Sequence, residues 1–468
     1  MRDEHQAGYR PDPRILALAD WLGDPVRAAD FPETRLRFRN DRHAASVGLA
    51  HLSDEDWVRH FGRFEPLPGN LPQPLALRYH GHQFRVYNPE IGDGRGFLFA
   101  QMRDDSGRLL DLGTKGSGQT PWSRQGDGRL TLKGAVREIL ATEMLEALGV
   151  NTSKTFSVIE TGEKLYRGDE PSPTRSAVLV RLSPGHIRIG TFQRLRALEE
   201  ADHMATLVDY ALEIYPGPPP PADAPDRDLP AIRLMHLVVE RMADMAASYM
   251  VAGFVHGVLN TDNMNISGES FDYGPWRWLP QWDPRFTAAY FDHTGLYAFG
   301  RQGEAMGWNC AQLAGSMMLI APEAALVAAL ERYAGLFRAS LCRRFLWRLG
   351  VASRGEEEDL ALLGAADVWM QTEKLSPDAM FFAHRAGRNP PPGDFGDLLK
   401  GHAPAAGLDH PLWTEDAPPT LVIDEVERIW AAIDAADDWQ PLAEKIAAVR
   451  GLGAALNVDS RSSSQTGN

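Results

Sequence analysis

Cysteine is nearly absent from this chain of 468 residues: Cys310 and Cys342 are the two it has. That is too few for a disulfide framework or a four-cysteine zinc site, and typical of a reducing compartment. Basic charge is scarce as well. Lys and Arg number 48 against 63 Asp and Glu, a net charge of −15 that repels phosphate backbones and anionic lipid, so neither nucleic acid nor a membrane is an expected partner. No apolar run is long enough to span a bilayer, and the longest, around 317–330, is interrupted by Pro322 and Glu323. The opening Met1-Arg2-Asp3-Glu4-His5 lacks the apolar stretch of a secretory signal, and the expected location is cytoplasmic. What the chain does have is the mixture of an ordinary folded protein, 44% hydrophobic and 24% charged residues. Its length is roughly three times a ~150-residue single domain, and two or more lobes are expected.

Residues 1–77 mix short helical patterns with loops, carry no recognisable chemistry, and read as an N-terminal extension. From 97 to 115 the pattern is a hairpin: an apolar strand over 97–101, a polar turn over 104–107, and a second strand over 109–112. Val136, Ile139, Leu140, Met144 and Leu148 recur at three- and four-residue steps, which predicts a helix over 133–148 ended by Gly149. Val158-Ile159 and 177–182 read as further strands. Seven prolines from Pro216 through Pro230 cannot continue a helix and predict an exposed loop. Beyond it, 231–252, 310–340, 357–372 and 423–436 read as helices. The expected class is α+β, with a strand-rich lobe over 78–214, the proline-rich loop over 215–230 and a mainly helical lobe over 231–400. A helical extension over 401–458 and a disordered tail over 459–468 complete the expected plan.

The glycines of GDGRG at 92–96 let backbone amides approach phosphate oxygens, with a plain tight turn as the equal alternative. A strand follows them instead of a helix, which excludes a dinucleotide fingerprint. Lys115 ends the second hairpin strand in LGTKGSG, where Gly116 replaces the Ser or Thr that a Walker A loop needs. The pattern that fits is kinase-like: glycine turn, hairpin, strand lysine, and a glutamate on the next helix. Glu138, Glu143 and Glu146 are the candidates, and helix phase favours Glu143, which falls within the Val136, Ile139 and Leu140 face. Further along, His256-Gly-Val-Leu-Asn-Thr-Asp-Asn263 precedes Asp272-Tyr273-Gly274. Kinase loops carry their base two residues after the histidine, but Val258 stands there and accepts no proton. Asp262 stands instead directly before Asn263, and Asn263 with Asp272 forms a hard-oxygen pair suited to Mg²⁺.

His80 and His82 have no evident third ligand and are not expected to bind zinc. Cys310 reads as an inert core thiol. Phe271, Tyr273, Trp276, Trp278, Trp282 and Phe286 read as packing, not base stacking. These residues leave three activities open: transfer of a nucleoside monophosphate, γ-phosphate transfer to a small molecule, and nucleotide binding without catalysis.

RYHGHQF (78–84), GDGRG (92–96), LGTKGSGQTPWSRQGDGR (112–129), VREILATEMLEALGV (136–150), HIRIGTFQ (186–193), HGVLNTDNM (256–264) and DYGP (272–275) together resemble the selenoprotein O family of kinase-fold protein adenylyltransferases, in family order. The resemblance implies a protein-kinase-like two-lobed fold with terminal extensions. It implies nucleotide contacts from Gly92, Gly94, Arg95, Lys115, Asp127, Gly128, Arg181, Arg188 and Asp272. It pairs Lys115 with Glu138, against the helix-phase preference. Asp262 becomes the general base, and Asn263 and Asp272 the ligands of Mg²⁺, with Mn²⁺ as the alternative. ATP would bind flipped relative to kinases, so that AMP, or UMP from UTP, passes to Ser, Thr or Tyr hydroxyls of protein partners with loss of pyrophosphate. Arg181 and Arg188 would face opposite ways on one unbroken strand, and Pro184-Gly185 between them is where a turn brings both together. Family members often carry a cysteine or selenocysteine near the C-terminus. No cysteine follows Cys342, and a C-terminal disulfide switch is not expected.

Overall fold

The computed structural model describes residues 8–168 and 170–456; the tail expected to be disordered, 459–468, lies outside the described residues. The predicted hairpin forms the middle of a sheet. Leu98–Arg103 runs antiparallel to Leu109–Lys115, and Asp104 closes the turn by accepting the Arg108 N–H at 2.9 Å and the Ser106 hydroxyl at 2.7 Å. Among the described residues the sheet order is Gly23–Pro25, Leu75–Leu77, Leu98–Arg103, Leu109–Lys115, Thr174–Ser183, Lys154–Leu165 and Arg35–Arg39, with Leu130–Thr131 also paired to Thr174–Ser183. The stretch before residue 78, expected as an extension, thus supplies three strands of this sheet.

Alternation assigns the two faces. Leu110, Leu112, Val178, Val180 and Leu182 join Trp57, Phe61 and Phe156 in one apolar cluster. Ala177 and Leu179 point the other way, into the cluster that contains Leu132, Val136 and Ile139 of helix Leu132–Ala147. Lys115 and Arg181 belong to that second face. Thr131 starts the helix, its hydroxyl accepting the Gly134 N–H at 3.1 Å. Helices Ile423–Ala436 and Gln440–Ala455 return from the far end of the chain to cover its outer side. This second covering explains why helix phase points to the wrong glutamate. Glu143 is buried against the C-terminal helices, where Arg450 donates to its two oxygens at 2.6 and 2.8 Å.

The helical part is built around Pro230–Ala252, whose proline occupies the first turn, where a missing N–H costs nothing. It packs against Gln302–Met317 and Tyr333–Leu349. The single helix expected over 310–340 is divided among Gln302–Met317, Glu323–Glu331 and Tyr333–Leu349. Pro322 caps the second of these and has no N–H with which to extend the first. Residues 216–229 carry neither helix nor strand. No helix among the described residues is long and apolar enough to cross a membrane.

Candidate active site

A cleft of about 760 Å³ opens where the Lys115 face of the sheet meets loop 256–275. Gly92, Gly94, Arg95, Lys115, Asp127, Gly128, Arg181, Arg188, Asp262, Asn263 and Asp272 all line it, while Glu138 stands behind Lys115. The glycine turn forms one rim. A Cβ at Gly92 would lie 2.5 Å from the Trp122 ring, so the loop carrying Trp122, Asp127 and Gly128 lies against the turn only because no side chain intervenes. Asp127 pairs with Arg167 at 2.8 Å.

Charge is dense on the sheet side. Lys115 Nζ sits 2.7 Å from Glu138 Oε2, both groups buried. Arg181 Nη1 donates to Asp272 Oδ1 at 2.6 Å, and Arg188 Nη1 donates to Asp272 Oδ2 at 2.5 Å. The two arginines converge because the strand ends at Ser183 and the chain turns at Pro184-Gly185, which puts Arg188 on a separate bridge to Asn265. Both guanidinium groups lie over the Phe271 ring, at 5.0 and 4.7 Å from its centroid. Burial alone would raise the Asp272 carboxyl, but Arg181 and Arg188, followed by Lys115, outweigh it and hold the group well below the carboxylate range. Burial likewise pulls Lys115 below its ordinary value, against the opposing pull of Glu138.

Asp262 lies in the short turn Thr261–Asn263, fixed by the neighbouring strand Gly81–Gln83. The His82 N–H donates to Thr261 Oγ1 at 2.7 Å, the Phe84 N–H to Asn260 Oδ1 at 2.9 Å, and Gln83 Nε2 to Asp262 Oδ2 at 3.4 Å. Asp262 Oδ1 is buried with no hydrogen-bond partner among the described residues. Burial lifts this carboxyl to about 6, Arg188 opposing it. Val258 lines the same cleft, and its carbonyl accepts from Asn263 Nδ2 at 3.0 Å.

Asp93 and Gln83 are among the polar residues of the cleft that the motifs do not single out. Asp93 accepts from Arg188 Nη2 at 3.2 Å and from the Leu77 N–H at 3.0 Å. Gln83 holds Asp262. Both stand inside the motif runs, between residues that attract attention first. His80 and His82 are engaged elsewhere, His80 Nδ1 with the Tyr87 hydroxyl and His82 Nδ1 with Gln193, each at 2.6 Å. Cys310 is buried, and burial pushes its thiol up to about 12. Phe271, Tyr273, Trp276 and Trp278 are buried.

The family model described as protein adenylyltransferase SelO matches residues 7–390. The chain belongs to this family. A relative from Synechocystis sp., named protein nucleotidyltransferase YdiU, is 43% identical over 92% of this chain and 95% of its own length. The YdiU proteins of Gloeobacter violaceus and Synechococcus elongatus are 42% and 49% identical, over 94% and 72% of this chain and 94% and 68% of their own lengths. Among solved structures, the Toxoplasma gondii virulence factor ROP2, titled as having a protein-kinase fold and no enzymatic activity, aligns over 66% of this chain and 83% of its own with a TM-score of 0.26 and 11% identity. As a member of the SelO family the chain is an enzyme of nucleotidyl transfer.

Proposed function

We propose that this chain transfers AMP from ATP to Ser, Thr or Tyr hydroxyls of protein substrates, with UMP transfer from UTP as a variant of the same step. The hydroxyl oxygen bonds to the α-phosphorus, the bond from that phosphorus to the bridging oxygen breaks, and pyrophosphate leaves with the electron pair. The hydroxyl proton passes to the carboxyl of Asp262, which lines the cleft. Lys115, Arg181 and Arg188 hold phosphate oxygens, and the arginines supply fork-shaped, permanently charged donors. Gly92, Gly94, Arg95, Asp127 and Gly128 complete the nucleotide-binding set.

The donor set also fits a hard divalent cation, Mg²⁺ or Mn²⁺. Asn263 commits its amide hydrogen to the Val258 carbonyl, which leaves Oδ1 as a ligand. Asp272 accepts one arginine donor at each oxygen, and a carboxylate has lone pairs beyond those two. A bound cation supplies charge neutralisation at the phosphates.

One observation carries this reading. The kinase base position holds Val258, while the carboxyl of Asp262, with an unpartnered oxygen, lines the cleft that Lys115, Arg181 and Arg188 share. The test is incubation of the chain and a protein mixture with ATP labelled at the α- or the γ-phosphorus. The expected result is α label on protein; γ label on protein, or α label on small molecules only, contradicts the proposal.

A further inference from the structure

The strand Leu109–Lys115 presents Asp111, Gly113 and Lys115 on one face, and Arg181 stands opposite Gly113 in the antiparallel register. A Cβ on Gly113 would lie 2.1 Å from His186 Nε2: the imidazole ring occupies the place a side chain would take. Arg181 Nε donates to His186 Nε2 at 3.4 Å, and His186 Nδ1 lies 3.1 Å from Asp111 Oδ2. Gln101 Nε2 donates to Asp111 Oδ1 at 2.7 Å and to the Tyr210 hydroxyl at 3.1 Å, and its Oε1 accepts the Ile15 N–H at 2.7 Å. Gln101, Asp111, His186 and Arg181 are all buried.

The direction of this row follows from its ends. An arginine Nε is always a donor, so His186 Nε2 must accept; the ring proton is then on Nδ1, directed at Asp111. Arg181 is thus gripped from behind through Nε, while its Nη1 faces Asp272 in front. Without the ring, the guanidinium would keep one anchored end and a buried N–H without an acceptor.

We propose that His186, oriented by Asp111, is a positioning residue that sets the guanidinium of Arg181 for the phosphates. This rests on the reading of Arg181 as a phosphate-holding group. It gives Gly113 a reason of its own: the strand omits a side chain so that the His186 imidazole, from outside this strand, reaches the arginine.

The experiment is a mutant cycle in the full chain, with His186→Leu and His186→Gln made alone and in an Arg181→Lys background. Transfer of α label, ATP affinity by equilibrium titration and thermal unfolding are measured on each. His186→Leu is expected to lower kcat by about 10- to 100-fold, the scale of a misplaced reacting group, with the ATP KM changed by less than about threefold. His186→Gln offers a carbonyl to Arg181 and an amide to Asp111, and is expected to recover most of that loss. In the Arg181→Lys background, where no Nε remains to seat, His186→Leu is expected to cost nothing further. Losses that multiply independently in the cycle, or no recovery by a folded His186→Gln, overturn the proposal. If His186→Leu does not fold, the same cycle is run with His186→Gln, and a loss of about 10-fold or more that is equal in both backgrounds overturns it. Failure of the underlying reading is separately visible: the parent chain moves no α label, or Arg181→Lys alone leaves kcat, KM and ATP affinity unchanged.

Discussion

Asp272 and Asp262 line one cleft and differ in what surrounds them. Asp272 has an arginine on each oxygen and Lys115 nearby, which holds it ionised. Among the described residues Asp262 has a long side-chain contact from Gln83 on one oxygen and no side-chain partner on the other, and burial raises its proton affinity. Identical side chains are thus driven in opposite directions by their surroundings: the first is held ionised, the second takes up a proton more readily.

Breaking the anchored carboxylate is expected to have the largest effect. Asp272→Ala leaves Arg181 and Arg188 buried beside each other with their closest carboxylate removed, Arg188 keeping Asp93 at 3.2 Å and Arg181 the more distant Glu138 at 3.8 Å. A loss of about 3–5 kcal/mol of stability is expected, together with loss of transfer; denaturant titration and the α-label assay check both. Glu138→Ala removes the partner that holds Lys115 from behind. Transfer kcat/KM for ATP is expected to fall about 100-fold, the cost of losing one preorganised charge contact, read by steady-state kinetics.

Glu269 sharpens the contrast, because it shows what burial does without an arginine in contact. Its Oε2 is buried with no hydrogen-bond partner among the described residues, and burial lifts the carboxyl to about 8. Between the ordinary glutamate value of 4.5 and about 8, the folded chain keeps a proton that the unfolded chain has released. Stability therefore declines as pH rises through that window and levels off above it. Glu269→Gln removes this group's share of the slope: the variant is expected to match the parent near about pH 4 and to exceed it by on the order of 2 kcal/mol above about pH 8, measured by unfolding at each pH. The smallest effect is expected from Arg450→Ala. It frees Glu143 on the outer side of helix Leu132–Ala147, where Arg42 at 3.8 Å and Asn40 at 3.4 Å remain. With Arg450 partly solvent-exposed, about 1 kcal/mol or less is expected, seen as a small shift in the unfolding midpoint.

What could be read from sequence follows the range of the interactions. The hairpin, the helix after it and the loop carrying Asp262 and Asn263 announce themselves through local alternation, periodicity and spacing. Gly23–Pro25 and Arg35–Arg39 do not: three residues of turn-like composition and an arginine-rich stretch become strands only because Leu75–Leu77 and Lys154–Leu165 offer them edges. Helix phase singles out Glu143 because it assumes one buried face, whereas this helix is covered on its outer side by elements from the end of the chain. The seating of Arg181 by His186 and Asp111 leaves no local signature, since its members come from separate strands and a loop.

Asp262→Asn separates the two carboxylates of the cleft most directly when ATP affinity and α-label transfer are measured on the same preparation. ATP affinity is expected to stay within about threefold of the parent while transfer falls by at least about 100-fold, because only the proton acceptor is lost. Transfer at the parental rate, or ATP affinity lost along with transfer, would contradict the assignment of Asp262 as the base.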